Sequence, residues 1–151
     1  MGKVTGLRCP KCMQRYAVEI EGRLCERCHY ILEVEVDLSG LHTKGPELFL
    51  NRAERSIWRW REFLPIEKDG AIVTLGEGGT PLLPVERLRR EVGGAEVYLK
   101  NDTVLPTGSL KDRSNAVAIS RAIEEGRAVV AVASTGNAAA SVAAYAARAG
   151  L

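Results

Sequence analysis

Pro106-Thr107-Gly108-Ser109-Leu110-Lys111-Asp112-Arg113 decides how this chain reads. A tight Gly-Ser turn gives way there to an apolar pattern of helical period. The stretch therefore predicts a loop that opens a helix, with Lys111 in its first turn. The start of a helix carries a positive partial charge, which disfavours an ammonium and favours a neutral amine. A neutral amine attacks aldehydes, so a lysine in that place is a candidate for Schiff-base chemistry.

Working outward, Ala116, Ile119, Ala122 and Ile123 keep helical spacing over Lys111–Glu125, and Gly126 supplies a stop. Ala128-Val-Val-Ala-Val-Ala133 is apolar throughout, as in a strand covered on both faces. Asn137–Arg148 reads as a second, Ala-rich helix ended by Gly150, and Val97-Tyr98-Leu99-Lys100 as a short preceding strand. Strand alternating with helix predicts α/β with a parallel sheet. Ser134-Thr135-Gly136-Asn137 joins the second strand to the second helix. These are ordinary capping residues. Their hydroxyls and free amides at a helix start also suit an anion such as a substrate carboxylate, beyond the carboxyl end of a strand. Beside Lys111 the second reading gains weight, and the aldehyde of pyridoxal phosphate becomes the candidate partner for the lysine.

All four cysteines lie near the N-terminus, as Cys9-Pro-Lys-Cys12 and Cys25-Glu-Arg-Cys28. Two CxxC turns on adjacent hairpins supply four thiolates for a tetrahedral zinc, and four sulfurs leave no open position for substrate, so the zinc is structural. Tyr16–Ile20 and Ile31–Val36 alternate like strands, with a turn at Glu21-Gly22, and His29 reads as a surface residue of its turn. Residues 1–40 are thus a zinc ribbon. Residues 41–75 form a helical connecting segment: Leu48, Leu50, Ile57, Trp58, Trp60 and Phe63 suggest one amphipathic helix ending before Pro65. Gly76-Glu77-Gly78-Gly79-Thr80-Pro81 lacks the register of a phosphate loop. It is either a plain turn or a loop that positions Thr80 near a site. Residues 76–151 carry the α/β part.

The 151 residues are 46% hydrophobic and 26% charged with a net charge of +2, enough to bury a core and too balanced to mark a polyanion partner. Aromatic residues at 5% argue against a stacking surface, so no nucleic acid is expected. No stretch is apolar for long enough to span a membrane, and no signal peptide is visible; a cytoplasmic protein with reduced thiols is expected.

Leu105-Pro-Thr-Gly-Ser-Leu-Lys-Asp-Arg-Ser114 and Ser134-Thr-Gly-Asn-Ala-Ala-Ala-Ser141 resemble two segments of the fold type II family of pyridoxal-phosphate enzymes, N-P-T-G-S-F-K-D-R-G and S-T/S-G-N-T-A-A-S. Gly76–Leu82 is similar to the stretch that opens that domain. Within the family the likeness is to threonine synthases, some of which also carry an N-terminal zinc ribbon. The resemblance implies an α/β chain: a zinc ribbon followed by the incomplete N-terminal part of a fold type II parallel-sheet domain. It implies that Lys111 binds the cofactor as a Schiff base and shuttles protons, that Asn137 hydrogen-bonds the cofactor's ring hydroxyl, and that Ser134, Thr135 and Gly136 hold the substrate carboxylate. The implied reaction turns O-phosphohomoserine and water into threonine and phosphate. Leu105, Leu110 and Ser114 stand where the pattern has Asn, Phe and Gly. Cysteate synthase, threonine dehydratase and cysteine synthase types therefore stay open. Family members are more than twice as long, and their Gly-rich phosphate loop and the residue facing the pyridine nitrogen have no counterpart in these residues. The expectation is an N-terminal fragment, inactive or completed by a second chain, homodimeric when complete. A non-catalytic zinc-ribbon remnant is the alternative.

Overall fold

Two cysteine pairs and a handful of apolar side chains organise the first part of the chain. In the computed structural model, which describes residues 3–20, 22–41 and 45–151, β1 (Lys3–Arg8) pairs antiparallel with both β2 (Arg15–Tyr16) and β3 (Glu33–Asp37). The sheet order is β2-β1-β3. Leu7, opposite Tyr16 on one side and Val34 on the other, is buried with Leu32, Cys9 and Cys25. So few side chains make too small a core to hold a fold alone. Gly6 allows the strands their close approach, since a Cβ there would lie 2.9 Å from the Tyr16 carbonyl.

The strand expected over Tyr16–Ile20 is cut to Arg15–Tyr16. The Ile20 amide instead closes a turn onto the Ala17 carbonyl, at 3.4 Å, which lets Ile20 pack on the cysteine cluster. The next expected strand starts later, at Glu33, and Ile31 makes an isolated bridge with Leu24. The expected turn at Glu21-Gly22 lies partly outside the described residues.

The single amphipathic helix expected before Pro65 is two short pieces, α1 (Glu47–Leu50) and a 3-10 segment, Ile57–Phe63, kinked at Trp60. The backbone between them is committed elsewhere. Ser56 bridges Gly78, and the Ile57 amide donates to the Glu77 carbonyl at 2.7 Å. A fold-back results, in which Phe49 meets Trp60 and Phe63 with ring centroids 5.1 and 5.3 Å apart. Arg52 closes it, donating to Glu62 Oε2 at 2.8 Å and to the Arg59 carbonyl at 2.6 Å.

The chain forms two compact units, Met1–Glu54 with Trp58–Ile72, and Arg55–Ile57 with Val73–Leu151. The second unit contains β4 (Leu82–Pro84), α2 (Glu86–Glu91), β5 (Tyr98–Lys100), α3 (Lys111–Glu124) and α4 (Asn137–Ala149). Both long helices begin at the residues the sequence predicts. Each is followed by a glycine in the left-handed region, Gly126 at φ 69° and Gly150 at φ 77°. Ala116 and Ile119 of α3 are buried, and Ser120 Oγ accepts the Val73 amide at 2.8 Å.

The mixed α/β class holds, with small sheets. The sheet content differs from the sequence reading in two respects. β4 and β5 pair antiparallel, Leu83 opposite Leu99. Ala128–Ala133 is not a strand, and Val129 is 80% exposed. An apolar run becomes a strand only when a neighbour takes up its amides and carbonyls, and among the described residues nothing pairs with this one.

The Arg52–Glu62 pair makes the first unit acid-sensitive. Hydrogen bonds from Arg52 hold the Glu62 carboxyl down at about 2, below its unfolded value. Its contribution is therefore complete above the ordinary glutamate range and is lost as pH falls toward about 2, on the order of 2–3 kcal/mol. Urea titrations followed by tryptophan fluorescence at about pH 7 and about pH 3 are expected to show a smaller acid-induced loss of stability in Glu62→Gln than in the wild type.

Candidate functional site

The turn before Lys111 is tight because Gly108, at φ 72°, donates its amide to the Leu105 carbonyl at 2.8 Å. Ser109, buried next to it, receives the Lys111 amide on its hydroxyl at 3.3 Å and the Asp112 amide on its carbonyl at 3.1 Å. Lys111 is the first residue of α3 and is exposed. Asp112, beside it, has no solvent exposure at all. Its carboxylate accepts three hydrogen bonds: the Thr107 amide at 2.7 Å, the Thr107 hydroxyl at 2.6 Å and the Ser141 hydroxyl at 2.6 Å. A buried carboxylate is tolerated only with such a donor set. Here the donors come from the turn and from α4, so one side chain ties both to α3.

Ser134, Thr135 and Gly136 form an exposed loop, and Asn137 is the exposed first residue of α4. Gly136 is the N-cap, and no side chain caps the helix. Ser134 Oγ instead accepts the Gly136 amide at 3.2 Å. The capping reading of this segment is therefore not realised, and the positive end of α4 is left without an anionic or hydroxyl cap. Asn115, one turn along α3 from Lys111, donates to the Ala138 carbonyl at 3.4 Å. With the Asp112–Ser141 bond, this sets the N-terminal parts of α3 and α4 against each other. Lys111 and the Ser134–Asn137 segment thus flank one helix–helix junction. The Lys111 amine, the Asn137 carboxamide and the hydroxyls and amides of Ser134–Gly136 are all exposed at the starts of those two helices. That donor set fits pyridoxal phosphate joined to an amino acid.

A second fastening lies two residues past the lysine. Arg113 grips Asp102 with Nε–Oδ2 and Nη2–Oδ1 bonds of 2.9 and 2.7 Å, and also donates to Thr80 Oγ1 at 3.0 Å. Thr80, whose carbonyl accepts the Lys100 ammonium, donates to Asp102 Oδ1 at 2.8 Å. The Arg113 hydrogen bonds hold the Asp102 carboxyl at about 2. The Gly76–Pro81 loop is thus tied to α3 through Thr80. Gly78 permits it: a Cβ there would lie 2.7 Å from the Ile57 amide nitrogen. Glu77 in the same loop has no exposure and accepts the Tyr145 hydroxyl of α4 at 2.9 Å and the Leu75 amide at 3.0 Å. Burial, then Glu77, pushes the Tyr145 hydroxyl pKa up, so it remains a donor.

In the first unit the sulfurs of Cys9, Cys12, Cys25 and Cys28 all lie within 4.8 Å of one another, and none is in a disulfide. Cys9–Cys28 and Cys12–Cys25 are 3.3 and 3.5 Å apart. A tetrahedral zinc with bonds of about 2.3 Å needs sulfurs about 3.8 Å apart, so four thiols in this cluster fit the ion. His29 is exposed and outside the cluster. The Tyr16 hydroxyl bond lowers the Cys25 pKa to about 6, whereas the contact with Cys9 raises Cys28 to about 12.

Sequence reasoning named Lys111, the Ser134–Asn137 loop and the cysteines, but not what holds them. Asp112 and Arg113 were visible in the motif; their partners Ser141, Asp102 and Thr80 are set by the fold. Glu77 and Tyr145 gave no signal, because their spacing has no local meaning.

Residues 73–151 match the family model described as pyridoxal-phosphate dependent enzyme. The threonine synthase of Methanocaldococcus jannaschii is 45% identical over 143 residues, which are 95% of this chain and 35% of that protein. That of Methanosarcina acetivorans is 36% identical over 152 residues, again 35% of its length. That of Halalkalibacterium halodurans is 48% identical over 101 residues, 64% of this chain. The chain spans 35% of the length of the first two relatives.

Asp112→Ala strips the acceptor from three donors at once, one of them, the Ser141 hydroxyl, buried. It is expected to destabilise the second unit by about 3 kcal/mol or more, and Ser141→Ala by about 1 kcal/mol. Hydrogen exchange of the α3 and α4 amides checks both. Protection unchanged in Asp112→Ala would remove this carboxylate from its place as the tie.

Proposed function

This chain belongs to the pyridoxal-phosphate-dependent enzyme family, and from that premise we propose that it forms the cofactor-lysine part of a threonine synthase-type carbon–oxygen lyase. The reaction would take O-phosphohomoserine and water to threonine and phosphate, as a step of amino-acid biosynthesis. The observation that carries the reading is the junction of α3 and α4, with Lys111 opening one helix and the uncapped Gly136-Asn137 start opening the other. Relatives that match nearly the whole chain and are threonine synthases support it.

Pyridoxal phosphate, when bound, supplies an electron sink for a carbanion at the amino acid's α-carbon. The protein's share is binding, orientation and proton movement. Lys111 Nζ would take the cofactor aldehyde and later hold the proton removed from the α-carbon. The Asn137 carboxamide would orient the ring through its hydroxyl. The Ser134 and Thr135 hydroxyls, with the amides from Gly136 onward, would receive the substrate carboxylate at the positive end of α4. The four cysteines would hold a structural zinc. The reading brings with it an amino-acid substrate, further protein that completes the site, homodimeric assembly once complete, and a cytoplasmic setting. No helix among the described residues is long and apolar enough to cross a membrane.

Borohydride reduction of the chain mixed with pyridoxal phosphate, followed by peptide mapping, tests the assignment of the lysine. The label is expected at Lys111 in preference to Lys3, Lys11, Lys44, Lys68 and Lys100, and to be lost in Lys111→Ala. Label scattered over the surface lysines, unchanged by that substitution, would overturn the role given to Lys111.

A further inference from the structure

The two cysteine turns are built alike in their backbones. The Cys9 amide donates to the Gln14 carbonyl at 2.9 Å and the Cys25 amide to the Tyr30 carbonyl at 2.8 Å. The Met13 and His29 amides return to the Cys9 and Cys25 carbonyls at 2.9 and 2.8 Å. Met13 and His29 both take left-handed backbone, at φ 62° and 53°. At the sulfurs the two turns differ by one side-chain hydroxyl. Cys9 Sγ receives a long contact from the Cys12 amide, at 3.5 Å. Cys25 Sγ has the Tyr16 hydroxyl at 3.1 Å.

The direction of that bond follows from the third partner. The Glu26 amide donates to the Tyr16 oxygen at 3.1 Å, which leaves the phenol proton for the sulfur. Tyr16 is itself anchored in β2, paired with Leu7 of β1. The side chain therefore runs from the sheet to the second cysteine turn and meets it at both an amide and a sulfur. Four thiolates around a divalent zinc leave a net charge of about −2 in a site where Cys9 and Cys25 have no exposure. Donors aimed at sulfur disperse that charge and fix the direction of the ligand.

We infer that Tyr16 is a positioning residue of the metal site: its hydroxyl orients Cys25 toward the ion and draws charge from that sulfur. The inference rests on the four-thiolate zinc reading and extends it to a residue outside the ligand set. Among the described residues no other side-chain hydroxyl has a hydrogen bond to one of these sulfurs. The set of hydrogen bonds to the four sulfurs is therefore asymmetric, with the hydroxyl donor on Cys25.

Tyr16→Phe keeps the ring and removes only the oxygen. With cobalt(II) in place of zinc, the variant is expected to shift the sulfur-to-cobalt charge-transfer band. In competition with a chromophoric chelator it is expected to bind zinc about 10–100-fold more weakly than the wild type. Fluorotyrosine at position 16, a stronger donor with the same ring, is expected to move the band in the opposite sense. A purely packing role for the ring would move the band in neither. Unchanged bands and an unchanged zinc midpoint in both chains would overturn the inference. Cys25→Ser serves as the control on its premise. If that variant keeps the four-sulfur cobalt spectrum, or the wild type takes up no cobalt, the zinc reading falls and the role of Tyr16 falls with it.

Discussion

The buried carboxylate of Asp112 is the constraint on which the second unit depends. It sits next to Lys111, has no contact with solvent, and is satisfied only while Thr107 and Ser141 stay in place. An ionised group in the interior is costly unless its acceptor sites are filled. The turn before the lysine and the second turn of α4 must therefore sit where their donors reach it. The exposed lysine stands on backbone fixed by the residue that follows it. Its amide is held by the Ser109 hydroxyl while its side chain stays accessible.

Two further polar ties repeat the same logic. Arg113, Asp102 and Thr80 join α3 to the loop over residues 76–81, and Glu77 with Tyr145 joins that loop to α4. Three segments far apart in sequence are thus linked pairwise by charged or hydroxyl groups rather than by large apolar contacts. Such networks contribute less net stability than hydrophobic packing of the same volume, because desolvation offsets much of each bond. They are directional, however, and a directional tie suits a site whose parts must hold angles as well as distances. Ala116, Ile119 and Ala146 supply the apolar contact beneath.

Legibility in the sequence followed the range of the forces involved. α3 and α4 were readable because helical period and a terminal glycine are local properties, and both begin where the pattern says. The cysteine cluster was readable because CxxC spacing is a geometric statement about one turn. The helix expected before Pro65 failed because Ser56 and Ile57 give their backbone to Gly78 and Glu77, a pairing that no window around residue 57 contains. Ala128–Ala133 failed for the complementary reason. Its composition states what a strand there would need, cover on both faces, and cannot state whether a neighbour is present. The lysine and the Ser134–Asn137 loop were visible as residue types, whereas Asp112 as the tie between them became visible only with α4 in place.

The first unit meets its structural demand differently. Leu7, Leu32 and Ile20 cannot hold three short strands together, and the polar ties on the sheet, Arg8 and Arg15 with Glu33 and Glu35, lie at the surface where such pairs contribute little. What remains is the sulfur cluster. Four sulfurs within 4.8 Å of one another are mutually repulsive as thiolates and weakly bonded as thiols, so without an ion they are a poor core. With a divalent cation among them the same geometry becomes the strongest set of bonds in the unit, and binding free energy becomes folding free energy. On this argument the fold of residues 3–37 and its occupancy by metal are one equilibrium. Tyr16, bonded to both the sheet and the second cysteine turn, sits where the two halves of that equilibrium join.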